Sequence, residues 1–376
     1  MKVLLCFLLT TTFASGLGWV LTAHAVAHAT SNPLEIHYIN VGQGASTLII
    51  GPNGTRILYD FGNKKGDVSV VPYLDSLNWA KKSLEYSILS HRDKDHFYGY
   101  KGIIEQGYDF TIFNYKPSST LKKGLKLKTH WRNITKQTTA GEAVAIKPGL
   151  DLSLGNGASL FVVAAAGILF TGEEIHVKNE NDFSISVLLS YGHFQLILDG
   201  DMGAGNEPCS SHNTHQKAVQ QKVASALLTA GRIDPEFGVD IMHVSHHGSE
   251  SSSAVSYVAA IKPEVAIVSV GNPNCAYRHP HQNVMDVLMG EPDAHQCESF
   301  KPLKAVFQTD VGSESCTKGS AHNTGIIGGD IIIKTDGQTD YTISTTGVLW
   351  QNNKRKQVNA PASYKFSLDE VESQIE

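Results

Sequence analysis

A six-residue cluster of potential metal ligands, residues 91–96, constrains the fold of this chain more than any other feature. The cluster follows the short apolar run 86–90, which predicts a buried strand that ends in a loop. Two imidazoles and two carboxylates in one loop can surround a small volume, as a hydrolytic metal centre requires. A solvated charged loop is the alternative. The four side chains are those of His91, Asp93, Asp95 and His96.

Two later segments repeat this pattern of an apolar strand that ends in metal-binding side chains. Residues 195–198 predict a strand that leads to Asp201, and residues 239–245 predict one that leads to His246 and His247. In layered α/β folds, sites form where strand ends meet loops. The three strands therefore predict one shared site built from loops that are distant in the chain.

Hydrophobic periodicity predicts the other elements and a domain that mixes helices and strands. By itself it does not separate an α/β fold from an α+β fold. Strands are predicted at 34–50, 56–60, 159–166, 183–198 and 265–270, and helices at 70–79, 97–106, 216–228, 252–261 and 283–289.

Short motifs that follow one another in a fixed order cover residues from about 35 to 347. They lie at residues 40–46, 58–62, 90–96, 181–184, 198–201, 245–249, 269–272, 277–281 and 308–310. As an ordered set they resemble the metallo-β-lactamase-fold hydrolases, above all the hydrolase domain of the ComEC-type DNA-uptake channel proteins and its free-standing relatives. The resemblance implies an α+β (layered) fold, a four-layer αββα sandwich. Asn40 departs from the relatives, which often have Asp there.

The resemblance also implies a ligand set. Asp95 and His96 would bind one ion together with one of two adjacent later histidines, a choice that the sequence leaves open. Asp201 would bridge to a second ion held by His91 and Asp93. The full set is His91, Asp93, Asp95, His96, Asp201, His246 and His247.

Two positions depart from the commoner family pattern of ligands. Asp93 stands where relatives usually have His, and Asn181 stands near the place of a further His. A carboxylate in place of an imidazole favours harder ions, so we expect one or two divalent ions, Zn²⁺ or Mn²⁺. Asp60 and Asn181 are expected to orient the ligands.

The implied chemistry is hydrolysis by a metal-activated water. Asp95 could also hold that water, while His279 or His281 could neutralise the leaving oxygen of a phosphodiester. Arg278 could clamp a phosphate. An ordinary turn stiffened by proline is the alternative for this stretch. Ser249 could donate to a phosphate oxygen, although capping of the following helix is the interpretation we favour.

Residues 111–141 contain seven basic residues and no acidic one. Lys122, Lys123 and Lys126 lie here, with Trp131 nearby, and together they predict a surface that follows phosphates and stacks on a base. The alternative is a solvated, lysine-rich hairpin. The net charge of −5 argues against a general affinity of the whole chain for nucleic acid.

The N-terminus is typical of an export signal. Lys2 precedes an apolar stretch at 3–21, and small residues flank the possible cleavage sites that follow it. We therefore expect a signal peptide at 1–29, a hydrolase domain at 34–350 and a polar tail at 351–376. The protein would be secreted or periplasmic, without an integral membrane span once the signal is cleaved. An uncleaved anchor is the alternative.

Export also makes disulfides plausible for the four cysteines outside the signal. We favour Cys209–Cys275 and Cys297–Cys316 among the three possible connectivities, with free thiols as the alternative.

Together these features predict an exported, metal-dependent phosphodiesterase or nuclease that acts on DNA. A hydrolase of a small ester, lactone or lactam is the alternative, because one fold supports many chemistries. A binding module with a decayed site is disfavoured by the complete set of ligand types.

Overall fold

The structure is a computed structural model. It describes residues 5–11, 21–27, 32–62, 67–114, 144–207, 211–212, 215–271, 277–291, 301–313, 316, 325–351 and 354–368. The helices within these ranges are α1 (Asp67–Ser76), α2 (Lys94–Phe97), α3 (Tyr100–Glu105), α4 (Val219–Thr229), α5 (Val255–Ile261) and α6 (Gln282–Leu288).

Two nine-stranded sheets form the body of the fold. The first contains, in spatial order, β24 (Ala362–Ser367), β21 (Asp340–Thr345), β20 (Ile331–Thr335), β3 (Leu34–Tyr38), β4 (Thr47–Ile50), β5 (Arg56–Tyr59), β6 (Ser83–Leu89), β7 (Asp109–Asn114) and β8 (Val144–Ala145). The second contains β11 (Ile168–Leu169), β10 (Ala158–Ala165), β12 (Ser186–Tyr191), β13 (Phe194–Leu198), β16 (Ile241–His243), β17 (Val265–Val268), β18 (Ala305–Gln308) and β19 (Ile326–Ile327), and β9 (Asp151–Gly155) pairs with β10.

Three strand pairs stand apart from these sheets: β1 (Leu5–Thr11) with β2 (Leu21–Ala27), β14 (Asn206–Glu207) with β15 (Ser211–His212), and β22 (Val348–Gln351) with β23 (Lys354–Gln357). None of the helices in the described ranges is long and apolar enough to cross a membrane. The predicted signal peptide includes β1 and β2, and its cleavage stays a prediction.

The two large sheets pack face to face around a shared apolar core. Alternate side chains of β3 point into this core, among them Leu34 and Ile36, and they meet Val187 and Leu189 of β12. This alternation follows from the two-residue period of a strand, which turns every second side chain to the same face.

Helices cover both outer faces. On the first sheet, Leu74 of α1 packs in the same cluster as Leu58 of β5. On the second sheet, Val223 and Leu227 of α4 pack with Ile197 of β13. The order of layers is helix, sheet, sheet, helix, so the predicted α+β, four-layer αββα sandwich is confirmed.

Parallel strands in each sheet end at the edge that carries the predicted site. β5 runs parallel to β6 in the first sheet, and β13, β16, β17 and β18 run parallel in the second. In such sheets the loops at the carboxyl ends of neighbouring strands lie close together. The motifs at 58–62, 90–96, 198–201 and 245–249 all follow strands of this kind.

The helix predicted at 97–106 is different in the structure. Helix α2 begins at Lys94, inside the ligand cluster, and α3 follows as a separate helix. Gly99 lies between them against the carbonyl oxygen of Phe61, where a Cβ atom would collide. Asp95 and His96 therefore lie on a short helix and not on a free loop.

The prediction of a polar tail at 351–376 is wrong for the first part of that range. Residues 354–357 and 362–367 form β23 and β24, and β24 pairs with β21 as the edge strand of the first sheet. The alternating exposure of β24 explains the prediction, because an edge strand with one solvated face has a polar composition. Residues 369–376 lie outside the described ranges.

Candidate metal centre

The candidate centre lies where four loops meet at the carboxyl ends of strands. Asp60 follows β5, residues 90–96 follow β6, Asp201 follows β13, and His246 and His247 follow β16. These loops are far apart in the chain, and the packing of the two sheets brings them together.

Asp95, His96 and His247 form one side of the centre, which we call the closed side. The Nε2 atoms of His96 and His247 are 3.1 Å apart. His96 Nε2 is 3.2 Å from Asp201 Oδ1, and His247 Nε2 is 3.4 Å from Asp95 Oδ2. Donor atoms at these separations can share one small cation.

His91, Asp93 and His246 form the other side, which we call the open side. His91 Nε2 is 3.7 Å from Asp201 Oδ2 and 3.9 Å from Asp93 Oδ2. His246 Nε2 is 3.8 Å from the same Asp201 oxygen. Asp201 thus lies between the two sides, in the position expected for a bridging carboxylate.

Hydrogen bonds on the far edges of the closed-side imidazoles fix their tautomers. His96 Nδ1 is 2.7 Å from Asp60 Oδ2, and His247 Nδ1 is 2.8 Å from the carbonyl oxygen of Ser269. A carboxylate and a carbonyl only accept, so each Nδ1 carries the proton. In the neutral rings both Nε2 lone pairs therefore face each other, an arrangement that a shared cation would stabilise.

Serine hydroxyls orient the open-side imidazoles in a similar way. Ser90 Oγ donates to Asp60 at 2.7 Å and lies 3.0 Å from His91 Nδ1, so it accepts the His91 proton. Ser251 Oγ lies 2.8 Å from His246 Nδ1. His91 Nε2 is buried and has no hydrogen-bond partner among the described residues. A buried imidazole nitrogen left in this way fits a metal ligand.

The carboxylates and imidazoles of the centre shift one another's pKa values towards the charged forms. Burial alone would raise the pKa of Asp201, but His96 and His247 outweigh it and hold that pKa well below its usual range. Burial alone would lower the pKa of His96, but Asp201 and Asp60 outweigh it and raise that pKa. The carboxylate therefore stays ionised, and a metal ion must displace protons from the histidines.

Three residues of the centre have a left-handed backbone. Asp60, His246 and His247 have φ angles of 61°, 52° and 56°. This conformation is uncommon for residues other than glycine and is concentrated at functional sites. The two successive left-handed residues turn the chain sharply, so the rings of His246 and His247 are 6.4 Å apart and inclined at 66°.

Two proteins of known name are similar in sequence to about two thirds of this chain. No family model matches the chain. "Recombination protein 2" of Haemophilus influenzae is 27% identical over 259 residues, which are 68% of this chain and 26% of that protein. "ComE operon protein 3" of Bacillus subtilis is 24% identical over 271 residues, 68% of this chain and 30% of that protein. The chain is similar to ComEC-type proteins and has the metallo-β-lactamase fold.

This ComEC-like chain spans less than a third of the length of those two relatives. Among solved structures, it is similar to "a New Diphosphatase from the PhnP Family", with 12% identity and a TM-score of 0.37 over 72% of this chain and 94% of that one. The fold assignment rests on the sheet topology and not on this score. The ligand geometry is suited to a divalent metal ion, and the identity of the metal stays a prediction.

The structure also places the other predicted site residues of this ComEC-like protein. Asn181 lies beside His246, with its Nδ2 3.2 Å from the imidazole Nε2. His279 is buried and its ring stacks on that of His247 at 5.9 Å. Burial and the neighbouring His246 lower the pKa of His279 to about 2, so its ring is neutral at neutral pH. Arg278 is exposed beside it.

Ser249 does not cap the following helix, so the interpretation we favoured is wrong. Helix α5 begins at Val255 and its N-cap is Ala254. The Ser249 hydroxyl instead accepts a hydrogen bond from Ser251, the serine that orients His246. A phosphate contact of Ser249 stays a prediction.

Sequence reasoning missed the residues that hold the histidines. Ser90, Ser251 and Ser269 each fix one imidazole, and each lies within or next to a motif that was already recognised. Ser184 accepts a hydrogen bond from the backbone N–H of Asp201 and supports the bridging position. The available signal was the serine that lies next to His91 and the serine that follows His246 five residues later, whereas Ser269 acts through its backbone carbonyl and gave no such signal.

Some predictions lie outside the described residues. Lys122, Lys123 and Lys126 belong to residues 115–143, and Cys209, Cys275 and Cys297 are also outside the described ranges. The basic surface and the disulfide pairing therefore remain predictions.

Proposed function

We propose that this centre hydrolyses phosphodiester bonds of DNA outside the cytoplasm, with one or two bound Zn²⁺ or Mn²⁺ ions. One observation carries the proposal. Four buried or half-buried imidazoles are each held at Nδ1, and their Nε2 atoms converge on Asp201. With Nδ1 held in this way, the Nε2 atoms face Asp201 and one another, where a cation can take the place of the protons.

Some residues of the centre would bind the metal ion, and others would position those ligands. A bound divalent ion would acidify a water molecule and stabilise negative charge on a substrate oxygen. Asp95 and Asp201 would supply the carboxylates, and Asp95, with 30% of its side chain exposed, would also meet the incoming water. Asp60 would keep His96 in the ligand tautomer.

Substrate contacts would come from the segment that covers the centre. Arg278 is exposed and could bind a phosphate as a bidentate donor. His279 would present its neutral ring to the leaving oxygen as a hydrogen-bond partner. Its Nδ1 atom is buried and has no hydrogen-bond partner among the described residues. Ser249 would support a phosphate oxygen.

Two kinds of observation favour DNA as the substrate. The two relatives are named for recombination and for the ComE operon. The basic segment at 111–141 supplies lysines that could follow a phosphate backbone. Export through the signal peptide and stabilisation by two disulfides belong to the same proposal.

The first experiment measures metal content and activity on the same purified mature chain. Substrates are single-stranded DNA, a small chromogenic diester and a lactone. We expect stoichiometric Zn or Mn and cleavage of both diesters, all lost in Asp201→Ala and retained in Glu105→Ala, which removes an exposed carboxylate of α3. Turnover of the lactone alone would instead favour the small-ester hydrolase, and absence of bound metal would contradict the proposal.

A second experiment tests the basic segment. The triple variant Lys122→Ala, Lys123→Ala and Lys126→Ala should weaken DNA cleavage, flatten its salt dependence and spare the small diester. The matched control replaces three exposed lysines of β23 and β24, Lys354, Lys356 and Lys365, with Ala. Equal DNA cleavage by both triple variants would show that the predicted surface has no role.

A further inference from the structure

An exposed tyrosine lies at the outer end of a series of rings that begins at the metal centre. The ring of His279 lies 5.9 Å from that of the ligand candidate His247, and the two are inclined by only 23°. The Tyr277 ring lies 6.0 Å from His279 on the same chain segment, inclined by 33°. The series thus leads from a candidate ligand to the surface in two steps.

The Tyr277 side chain is largely exposed to solvent. It is 66% exposed, the highest value among the large apolar and aromatic side chains of the described residues. By contrast Tyr38, Tyr59, Tyr257 and Tyr341 are fully buried. A large ring left in water gains little for stability, and this one lies two ring contacts from the candidate ligand His247.

The next residue, Arg278, is also exposed. Arg278 has a φ angle of 57°, which an L-residue adopts only at some cost. It is exposed next to Tyr277, so an aromatic residue and a guanidinium residue occupy consecutive exposed positions beside His279. A base and its phosphate present the same pair of groups, a flat π-face and an anion.

Resting on the proposed nuclease function, we infer that Tyr277 is the platform on which an unpaired nucleobase stacks next to the cleaved phosphodiester. The substrate class is therefore DNA with unpaired nucleotides at the cut, in single strands or frayed ends. A paired base has both faces covered by its neighbours in the duplex and cannot reach an isolated ring.

The inference makes a prediction about binding that is independent of cleavage. Stacking of one base on one aromatic side chain is worth about 5- to 100-fold in affinity by alanine substitution. Tyr277→Ala should weaken binding of a single-stranded oligonucleotide by that factor, and Tyr277→Phe should retain it. Because Tyr277 is exposed, neither change should alter folding, which is checked by thermal unfolding.

The experiment uses the metal-loaded mature chain and phosphorothioate forms of the strands, which resist cleavage, so that binding is measured without turnover; the unmodified strands serve for the cleavage assay. The probe is a short oligonucleotide that contains 2-aminopurine, whose fluorescence is quenched by stacking, and its partner is the same strand with an abasic site at that position. We expect quenching by the wild type and by Tyr277→Phe, and loss of quenching in Tyr277→Ala. The abasic strand should bind all three proteins equally.

Two results would overturn the inference: equal quenching by the wild type and Tyr277→Ala, or an equal loss of abasic-strand affinity in that variant. A metal-loaded cleavage assay on the unmodified strands reports the proposed function separately. Base-dependent binding without cleavage would support the platform and refute the nuclease, while cleavage that ignores Tyr277 would do the reverse.

Discussion

The closed and open sides of the centre share Asp201 but differ in the groups that orient their imidazoles. On the closed side, His96 and His247 are fully enclosed, and their Nδ1 atoms are held by a carboxylate and a backbone carbonyl. On the open side, His91 and His246 are held by serine hydroxyls. An ionised carboxylate is a stronger acceptor than a hydroxyl, so the orientation of His96 is fixed more firmly than those of His91 and His246.

The carboxylates differ in the same direction. Asp93 has 50% of its side chain exposed, against 30% for Asp95. Burial, Asp201 and Asp95 raise the pKa of Asp93 to about 6, whereas the pKa of Asp95 is lowered because His247 and His96 outweigh the effect of burial. Asn181 adds an amide beside His246 and no charge. We therefore expect the closed side to hold an ion tightly and the open side to exchange its ion.

Removal of the shared carboxylate should have the largest effect because it damages both sides. We expect Asp201→Ala to bind neither ion and to lose roughly 10³-fold or more of the diesterase rate. Metal analysis by mass spectrometry and initial rates on the chromogenic diester measure this. Retention of one tightly bound ion would show that Asp201 is not shared.

The adjacent histidines should separate the two sides. His247→Gln should abolish tight metal binding, whereas His246→Gln should lower the stoichiometry and leave one tightly bound ion. Each change removes an imidazole from one side only. Titration with a competing chelator distinguishes the two cases. Identical losses in both variants would contradict the division.

Asp60→Asn should have an intermediate effect on the closed side. Asp60 binds Ser90 and His96, so an amide at this position weakens the acceptor that fixes the His96 tautomer. Loss of such a supporting group typically costs 10- to 100-fold in metal affinity. We expect that loss for the tight ion, with the far-UV circular dichroism unchanged. An unchanged metal affinity would remove Asp60 from the supporting set.

Mild acid should have the smallest effect and should act on the open side first. Because the pKa of Asp93 is raised to about 6, this carboxylate is ionised above that pH and gains a proton as the pH falls through it. Metal binding needs the ionised carboxylate. The number of bound ions per chain should therefore fall from two towards one between about pH 7 and about pH 5.5. Asp93→Asn should remove this pH dependence. Simultaneous loss of both ions would argue against two unequal sides.

The sequence predicted the positions of the ligands better than the elements that carry them. The motifs at 90–96 and 245–249 were recognised as metal-binding, and the structure brings their side chains together around Asp201. The helix expected at 97–106 instead begins at 94, and the expected polar tail provides an edge strand. Boundaries of this kind depend on close tertiary contacts such as that of Gly99 with Phe61, which local periodicity does not contain.

The amino-acid sequence by itself predicted a domain of mixed helices and strands and placed candidate ligands at the ends of three strands. The layered α+β fold and the full ligand set were implied by the resemblance of the ordered motifs to the metallo-β-lactamase-fold hydrolases. Only the tertiary structure decided that His247 faces the closed side and His246 the open side. That choice depends on two left-handed residues and on hydrogen bonds to Ser269 and Ser251. Ring orientation is set by whichever acceptor packs beside Nδ1, and packing brings that acceptor from another part of the fold.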